Sequence, residues 1–174
     1  MLAQLVADIL GRLGHQPTFI DLRATPLDPF DNDRVFESAA FATIHRAIET
    51  ADGVLIASPI YNWSLASSTK SLIEATGATG EGGRRAAWFD KVVTFLCSGG
   101  LPHSYMAYGS AALSMMLDFK CIVNPYMVYA TDRDFGPGLS LCDKLVARLE
   151  RTLEVKVELA SALHGRTYCS TWEV

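Results

Sequence analysis

The sequence predicts a single α/β domain, residues 1–174, in which helices cover both faces of a parallel sheet. Continuous apolar runs at residues 54–57 and 92–97 are rich in branched side chains and are typical of strands buried on both faces. Amphipathic segments with an apolar residue at every third or fourth position alternate with these runs, which is the order of elements in an α/β domain. The length of 174 residues fits one domain.

The first third of the chain is predicted to form a helix, a short strand and a second helix. The first helix is expected to end at Gly14, because glycine readily adopts the left-handed conformation of a helix terminus. The strand covers residues 18–22, and Gly53 ends the second helical segment. The apolar face of the first helix consists of Leu2, Leu5, Val6, Ile9, Leu10 and Leu13, and that of the second consists of Phe36, Ala40, Ile44, Ala47 and Ile48.

The rest of the chain continues the alternation. Its predicted elements are strand 54–57, helix 67–75, strand 91–97, helix 107–119, strand 121–129 and a long helix from Leu141 towards Gly165. Pro59 is expected to end the first of these strands. Pro125 lies inside the last strand and cannot donate a ladder hydrogen bond, so we expect that strand at an edge of the sheet.

Composition and charge argue against several classes of protein. The chain has 15 Lys and Arg against 19 Asp and Glu, and the net charge of −4 argues against nucleic acid or an anionic membrane as the main partner. No apolar run approaches the roughly 18 residues of a membrane span, and the first residues lack the basic flank of a signal peptide. The cysteines and histidines are scattered, so we expect reduced thiols, no metal site and a cytoplasmic location. The cysteines are Cys97, Cys121, Cys142 and Cys169.

Residues suited to binding a flat ligand follow two of the predicted strands. Ligands of open parallel sheets bind beyond the carboxyl ends of the strands. Pro59 fixes the exit of one strand and Tyr61 adds an aromatic ring, whereas Gly99 and Gly100 let the backbone after the other strand approach a ring closely. The alternative is that these are ordinary turn residues and that the aromatic side chain only packs.

These residues resemble a known family. Residues 51–62, followed by Ser64 and Lys70, are similar to the signature of the NADPH-dependent FMN reductases. Residues 91–100 resemble that family's strand and Ser-x-Gly-Gly turn, and the resemblance extends from the first helix to about Tyr129. It implies a flavodoxin-like three-layer sandwich that binds FMN and NADPH.

The resemblance also implies a reaction and a set of cofactor-binding residues. Hydride passes from the nicotinamide to the flavin and then to a second flavin, a quinone or an azo compound. The cofactor carries this chemistry, so no catalytic side chain is assigned. A homodimer or homotetramer is expected, and Trp63 and Trp88 are expected to be exposed. The implied cofactor-binding positions are Ser58, Pro59, Ile60, Tyr61, Asn62, Ser98, Gly99 and Gly100.

Two residues near the predicted site depart from the family pattern. Trp63 stands where the family usually has glycine, and it is expected either to shape the substrate pocket or to pack against a partner subunit. Ile60 replaces a frequent glutamate, which is tolerable if this position acts through its main chain.

The largest departure is at the start of the sequence. Family members have a strand and a Gly-Ser-x-Arg-x-x-Ser loop before the first helix, and that loop binds the FMN phosphate. This sequence begins within the corresponding helix, so the first, central strand of a sheet ordered 2-1-3-4-5 is expected to be missing. Strands 18–22 and 54–57 would then pair directly, or another segment or subunit would lie between them, or the natural chain is longer, which is the simplest account. A complete chain of this kind is expected to retain FMN weakly or not at all.

Two other functions are compatible with the same motifs. One is a flavodoxin-like electron carrier, although the net charge of −4 is modest for that role. The other is a non-catalytic member of the family that folds without binding flavin.

Overall fold

A mixed sheet lies between two layers of helices in the computed structural model, which describes residues 2–80 and 83–165, with only the backbone of Leu139. One layer is formed by α1 and α5 and the other by α2, α3 and α4. The helices are α1 (Leu2–Arg12), α2 (Ala39–Thr50), α3 (Ser67–Gly77), α4 (Gly109–Phe119) and α5 (Asp143–Leu163). The strands are β1 (Gly53–Tyr61), β2 (Ser64–Leu65), β3 (Val92–Ser98), β4 (Ile122–Val123) and β5 (Val128–Ala130). Short 3-10 helices are Arg34–Glu37, Pro102–Met106, Asp132–Asp134 and Pro137–Leu139.

The sheet is built around β3, which pairs in parallel with β1 on one side and with both β4 and β5 on the other. The strand order is β2-β1-β3-β4, and β2 is antiparallel to β1. All β3 side chains from Val92 to Cys97 are buried, as predicted for a strand covered on both faces. This pairing brings the carboxyl ends of β1 and β3 together.

The helices agree with the sequence prediction in number and position. The first ends near Gly14, whose φ of +85° is left-handed. The second starts after Ser38, whose hydroxyl accepts a hydrogen bond from the Phe41 amide at 3.0 Å, so Phe36 belongs to the preceding 3-10 helix. Trp88 is fully buried and donates to the Thr76 hydroxyl at 2.7 Å, so the expectation that it is exposed was wrong. None of the helices in the described ranges has both the length and the apolar content needed to cross a bilayer.

The strand predicted at residues 18–22 is wrong, because this segment is irregular loop. A strand needs a neighbour to satisfy its backbone, and on the edge of β1 away from β3 the described residues place only β2, opposite Ile60 and Tyr61. The direct pairing of 18–22 with β1 therefore does not occur. Ile20 and Leu22 instead pack from the loop against the core on the α2 side.

The two predicted strands that involve a proline need correction. The β1–β3 ladder does end at Pro59, opposite Ser98, but β1 continues to Tyr61 because the chain turns back there into β2. The strand predicted at 121–129 is divided into β4 and β5, with Pro125 between them. Both short strands lie at the expected edge of the sheet.

A buried amide holds the gap between β4 and β5. Asn124 is 2% exposed, and its side-chain nitrogen donates to the Thr94 hydroxyl at 3.2 Å and to the Thr152 carbonyl at 3.0 Å. Its side-chain oxygen accepts from the Tyr126 amide at 2.9 Å. The side chain therefore links the break between β4 and β5 to β3 and α5, and its hydrogen-bonding groups are satisfied inside the fold.

A buried ammonium group weakens the other end of the sheet, where β1 begins. Lys156 of α5 is 8% exposed, and a Cβ placed on Gly53 would lie 3.0 Å from its Nζ. Burial lowers the pKa of Lys156, and the nearby charge of Asp52 opposes that change only in part. Because the folded-state pKa is below the unfolded value, the unfolded state binds more protons between the two. The free energy of unfolding should therefore rise with pH through that window, up to about pH 10.4.

We expect Lys156→Met to raise the free energy of unfolding at pH 7 by about 1 kcal/mol, because the variant removes a poorly compensated buried charge and keeps the side-chain volume. Urea denaturation measures the change, and the variant should also lose the rise in stability with alkaline pH. Lys91→Met is the control, since the Lys91 ammonium donates to the Glu49 and Ala51 carbonyls at 2.7 and 2.8 Å and its loss should destabilise the protein. A Lys156→Met protein less stable than the wild type at pH 7 would contradict this account.

Candidate functional site

The loops that follow β1 and β3 face one another across an open cleft. They start side by side because Pro59 and Ser98 form the last pair of the parallel ladder. The cleft has a volume of about 470 Å³, which lies in the range of about 300–1,000 Å³ typical of small-molecule sites. Its walls are formed by Ile60 near the end of β1, by Asn62 and Trp63 of the turn that follows, and by Gly99, Gly100, Leu101, His103 and Ser104 of the loop after β3.

The first wall contains the two-residue turn of the β1–β2 hairpin. Tyr61 pairs with Ser64, so Asn62 and Trp63 are the central residues, with φ values of 48° and 63°. Left-handed values at both positions correspond to a type I′ turn, which favours asparagine followed by glycine. The left-handed conformation costs a residue with a side chain about 1–2 kcal/mol. The backbone of Trp63 is therefore strained, whereas Asn62 suits its position.

An aromatic stack joins the two walls. The Trp63 indole and the His103 imidazole have ring centroids 5.6 Å apart and planes within 20° of parallel. Such an arrangement is favourable for aromatic pairs. Trp63 nevertheless stays 54% exposed, so much of its ring is free to contact another molecule.

The second wall offers bare backbone at Gly100. The Gly99 amide donates to the Ala130 carbonyl at 3.0 Å, and a Cβ on Gly99 would lie 2.4 Å from the Tyr129 hydroxyl. Gly99 is therefore required by packing. A Cβ on Gly100 would meet nothing within 4 Å. The Tyr129 hydroxyl donates to the Leu101 carbonyl at 2.7 Å and so fixes the start of the loop.

The Ser58 hydroxyl holds the first loop against α3. Ser58 is 4% exposed, and its oxygen accepts hydrogen bonds from the Ala66 amide at 3.1 Å and the Thr69 hydroxyl at 3.0 Å. The same hydroxyl donates to the Pro59 carbonyl at 3.0 Å. This side chain is occupied inside the fold and is not among those that line the cleft.

The thiol nearest the cleft is unreactive. Cys97 is fully buried in β3, and burial raises its pKa to about 12, so it is a neutral thiol at pH 7. Cys97, Cys121 and Cys142 are all free, as predicted, and Cys169 lies outside the described residues. Of the described residues that line the cleft, His103 alone has an ionisable side chain. The cleft thus offers shape, backbone groups and aromatic rings, with little acid–base capacity.

Sequence comparison decides the family. Residues 1–135 match the sequence model described as NADPH-dependent FMN reductase, which is most of the chain. The chain belongs to the NADPH-dependent FMN reductase family. This confirms the resemblance drawn from the motifs at residues 51–62 and 91–100. Curated protein sequences give no match to this family member.

Solved structures share its fold. An NADH:FMN oxidoreductase (EMOB, apo form) has a TM-score of 0.63 at 18% identity, covering 95% of this chain and 82% of that one. The flavoenzyme NAD(P)H:(acceptor) oxidoreductase FerB from Paracoccus denitrificans has a TM-score of 0.61 at 18% identity, covering 92% and 86%. General stress protein 14 from Treponema denticola, solved in complex with FMN, has a TM-score of 0.56 at 16% identity, covering 94% and 91%. The predicted flavodoxin-like α/β fold is confirmed.

The predicted cofactor-binding residues occupy different places around the cleft. Ile60, Asn62, Gly99 and Gly100 line it. The side chain of Tyr61 is 64% exposed beside the turn. The remaining predicted positions lie in the β1–β3 ladder beneath the cleft walls and are not among the lining residues. They are Ser58, Pro59 and Ser98.

The predicted site residues did not extend beyond Gly100 in the second loop, because packing at the start of a helix was the favoured interpretation of His103. Leu101, His103 and Ser104 line the cleft, and Tyr129 of β5 supports them from the far side of β3. The spacing of His103 from the Ser-Gly-Gly turn was a usable signal for its position. The stack with Trp63 was not detectable, because it joins residues 40 positions apart through the sheet.

The cleft fits the ring part of FMN better than its phosphate. The bare backbone at Gly100 and the flat rings at the opposite wall suit a planar group that is recognised through main-chain atoms. No lysine or arginine is among the described residues that line it. If FMN binds, Ile60, Asn62, Gly99 and Gly100 would hold its ring.

We expect Ser58→Ala to lower the free energy of unfolding by about 1–3 kcal/mol, because the buried Ala66 amide and Thr69 hydroxyl lose their shared acceptor. Chemical denaturation measures this change. Ser67→Ala, at the exposed first residue of α3, should change stability by less than about 0.5 kcal/mol. Equal stability of the two variants would mean that the Ser58 network does not hold the loop.

Proposed function

We propose that this protein is an NAD(P)H-dependent oxidoreductase that binds FMN in the cleft between the β1–β2 turn and the loop after β3. The supporting observation is that two neighbouring strand ends deliver an open cleft lined by bare backbone at Gly100 and by exposed aromatic rings. Membership in the FMN reductase family supports the same assignment. Relatives of this fold include an NADH:FMN oxidoreductase and a protein solved with FMN.

The proposed reaction transfers two electrons from a nicotinamide to an acceptor. For a quinone, NAD(P)H, one proton and the quinone give NAD(P)⁺ and the hydroquinone, with one hydrogen of the product coming from NAD(P)H as hydride and one from solvent. Bound FMN would supply the hydride-accepting ring that links the two half-reactions. A free flavin or an azo compound is an equivalent class of acceptor.

The protein's role in this reaction is to position flat molecules and exclude side reactions. No catalytic side chain is proposed, since Cys97 is a neutral thiol and His103 is engaged with Trp63. The backbone groups near Gly100 would contact the ring edge, and the Trp63 side of the cleft would contact its flat face. The free thiols and the use of NAD(P)H fit a cytoplasmic location.

FMN is expected to bind weakly and to exchange with solution. The described residues around the cleft supply no lysine or arginine to neutralise the FMN phosphate. Assays should therefore contain added FMN in excess of the protein. A flavodoxin-like electron carrier would bind FMN but show almost no steady-state oxidation of NADPH.

We expect FMN to bind the wild-type protein and Gly100→Val to weaken this binding about tenfold, because the valine side chain enters space that the ring would occupy. Quenching of FMN fluorescence measures affinity, and the loss of NADPH absorbance with excess FMN measures activity. Gly100→Val should keep the wild-type melting temperature, since a Cβ there meets nothing within 4 Å.

Gly99→Ala is the matched control. Its Cβ would press on the Tyr129 hydroxyl, so this variant should lower the melting temperature as well as FMN affinity. Wild-type protein that neither quenches FMN fluorescence nor oxidises NADPH would refute the proposed function. Binding that is unchanged by Gly100→Val would place FMN elsewhere.

We also propose that the protein is a homodimer or homotetramer that associates through α4. Leu113, Met116 and Leu117 are each at least half exposed and lie at i, i+3 and i+4, so they form one apolar helix face. A second copy is the occupant expected from the family resemblance.

We expect Leu117→Glu to shift the protein towards monomer in sedimentation velocity, because it puts a charge in that face. Leu13→Glu, at a leucine that is 59% exposed near the end of α1, should leave the sedimentation coefficient unchanged. A wild-type protein that sediments as a monomer at all concentrations would exclude this assembly.

A further inference from the structure

Trp63 is unusual in both its backbone and its surroundings. It occupies the second central position of the hairpin turn with φ of 63°, where glycine would be unstrained. The other non-glycine residues with positive φ are Asn32, Asn62, Asp90 and Lys120, so within the described residues no other aromatic side chain is held this way. The main-chain recognition of FMN proposed above does not require an indole at this position.

The stack with His103 gives the indole a fixed orientation. One side of the ring lies against the imidazole, 5.6 Å between centroids, and His103 is positioned by the 3-10 helix that Pro102 begins. With 54% of Trp63 exposed, a substantial part of the rigid indole surface remains uncovered while bordering the cleft. A rigid, partly wet aromatic surface binds planar molecules at low cost in conformational entropy.

We propose that Trp63, backed by His103, is the specificity-determining residue for the electron acceptor and selects planar aromatic acceptors by stacking on its uncovered face. This inference rests on the proposed function. The indole positions the acceptor and is neither oxidised nor reduced. NAD(P)H loses two electrons, and the quinone gains two electrons and two hydrogens.

Two acceptors of different shape separate stacking from general activity. Menadione is a planar naphthoquinone and can stack on an indole. Ferricyanide is an octahedral anion that cannot; two ferricyanide ions each take one electron from one NADPH, giving NADP⁺, one proton and two ferrocyanide ions. A residue that acts on the acceptor by stacking should change the KM for menadione by a larger factor than it changes the turnover of ferricyanide.

The test compares wild type, Trp63→Gly and Trp63→Phe with NADPH and saturating FMN. We expect Trp63→Gly to raise the KM for menadione about three- to tenfold with kcat within about twofold. Because Trp63 also lines the proposed FMN cleft, FMN affinity is measured for each variant, and at an FMN concentration that saturates that variant ferricyanide reduction should change by a smaller factor than kcat/KM for menadione. Trp63→Phe keeps an aromatic face and should restore most of the menadione KM. Trp63→Gly relieves the left-handed strain, so its melting temperature should equal or exceed that of wild type, which removes misfolding as an explanation.

Binding without turnover provides the second readout. In a Trp172→Phe background the emitting residues are the exposed Trp63 and the fully buried Trp88, and Trp172 lies outside the described residues. Menadione should quench this emission saturably without NADPH or FMN, and His103→Ala, which keeps the Trp63 emitter but removes the imidazole behind it, should weaken the saturable quenching. Phe19→Leu, at an exposed aromatic residue outside the cleft, is the matched control and should change neither readout.

The outcomes separate this inference from the function on which it rests. A wild-type protein without FMN binding or NADPH oxidation refutes the proposed function. In that case saturable quenching of Trp63 fluorescence by menadione would still show that the indole binds planar molecules. An active protein in which Trp63→Gly changes both acceptors equally, or neither, overturns the inference. A smaller sedimenting species for Trp63→Gly together with unchanged acceptor selectivity would make Trp63 a subunit contact, which also overturns it.

Discussion

The parallel ladder between β1 and β3 is the constraint on which the cleft depends. It runs from Gly53 opposite Val92 to Pro59 opposite Ser98, where β3 ends and β1 leaves the parallel ladder. Because the two strands are parallel, the segments that follow them start side by side at the same edge of the sheet. The β1 chain then folds back as a hairpin and the β3 chain enters a 3-10 helix, so a space opens between them.

Local patterns were enough to predict the elements that carry this constraint. The continuous apolar run at β3 predicts a strand buried on both faces. The helical spacing of apolar residues at α3, α4 and α5 predicts helices with one buried face, and neither prediction depends on knowing the neighbouring elements. The segment at residues 18–22 has a similar composition but no strand beside it, and a composition cannot reveal the absence of a neighbour. Pro125 interrupts the predicted strand because it has no amide hydrogen to donate. At this break the buried Asn124 side chain bonds to two distant residues, Thr94 and Thr152, and the sequence alone does not reveal those contacts.

Some features of the candidate site could likewise be predicted from the sequence, and others depend on contacts between distant residues. The motif placed Asn62, Gly99 and Gly100 correctly at strand ends, since sequence position along a predicted strand fixes them. It could not distinguish Gly99, which packing against Tyr129 demands, from Gly100, which faces open space. Ser58 resembled its neighbours in the motif, yet its hydroxyl is consumed by hydrogen bonds that become visible only when α3 is placed.

Strain and chemistry coincide at the turn of the β1–β2 hairpin. A type I′ turn is imposed here by the two-residue connection between Tyr61 and Ser64, and its second position penalises every side chain. An indole at that position is therefore costly to the hairpin alone and is offset only by contacts that it makes outside the hairpin. The structure provides one such contact within the chain, the imidazole of His103, and leaves the rest of the ring uncovered beside the cleft. Because His103 is the one ionisable side chain among the described residues that line that cleft, shape, backbone groups, the neutral polar side chains of Asn62 and Ser104, and stacking are what it offers for recognition. The residue that the hairpin accommodates least well is thus the one best placed to contact a flat molecule.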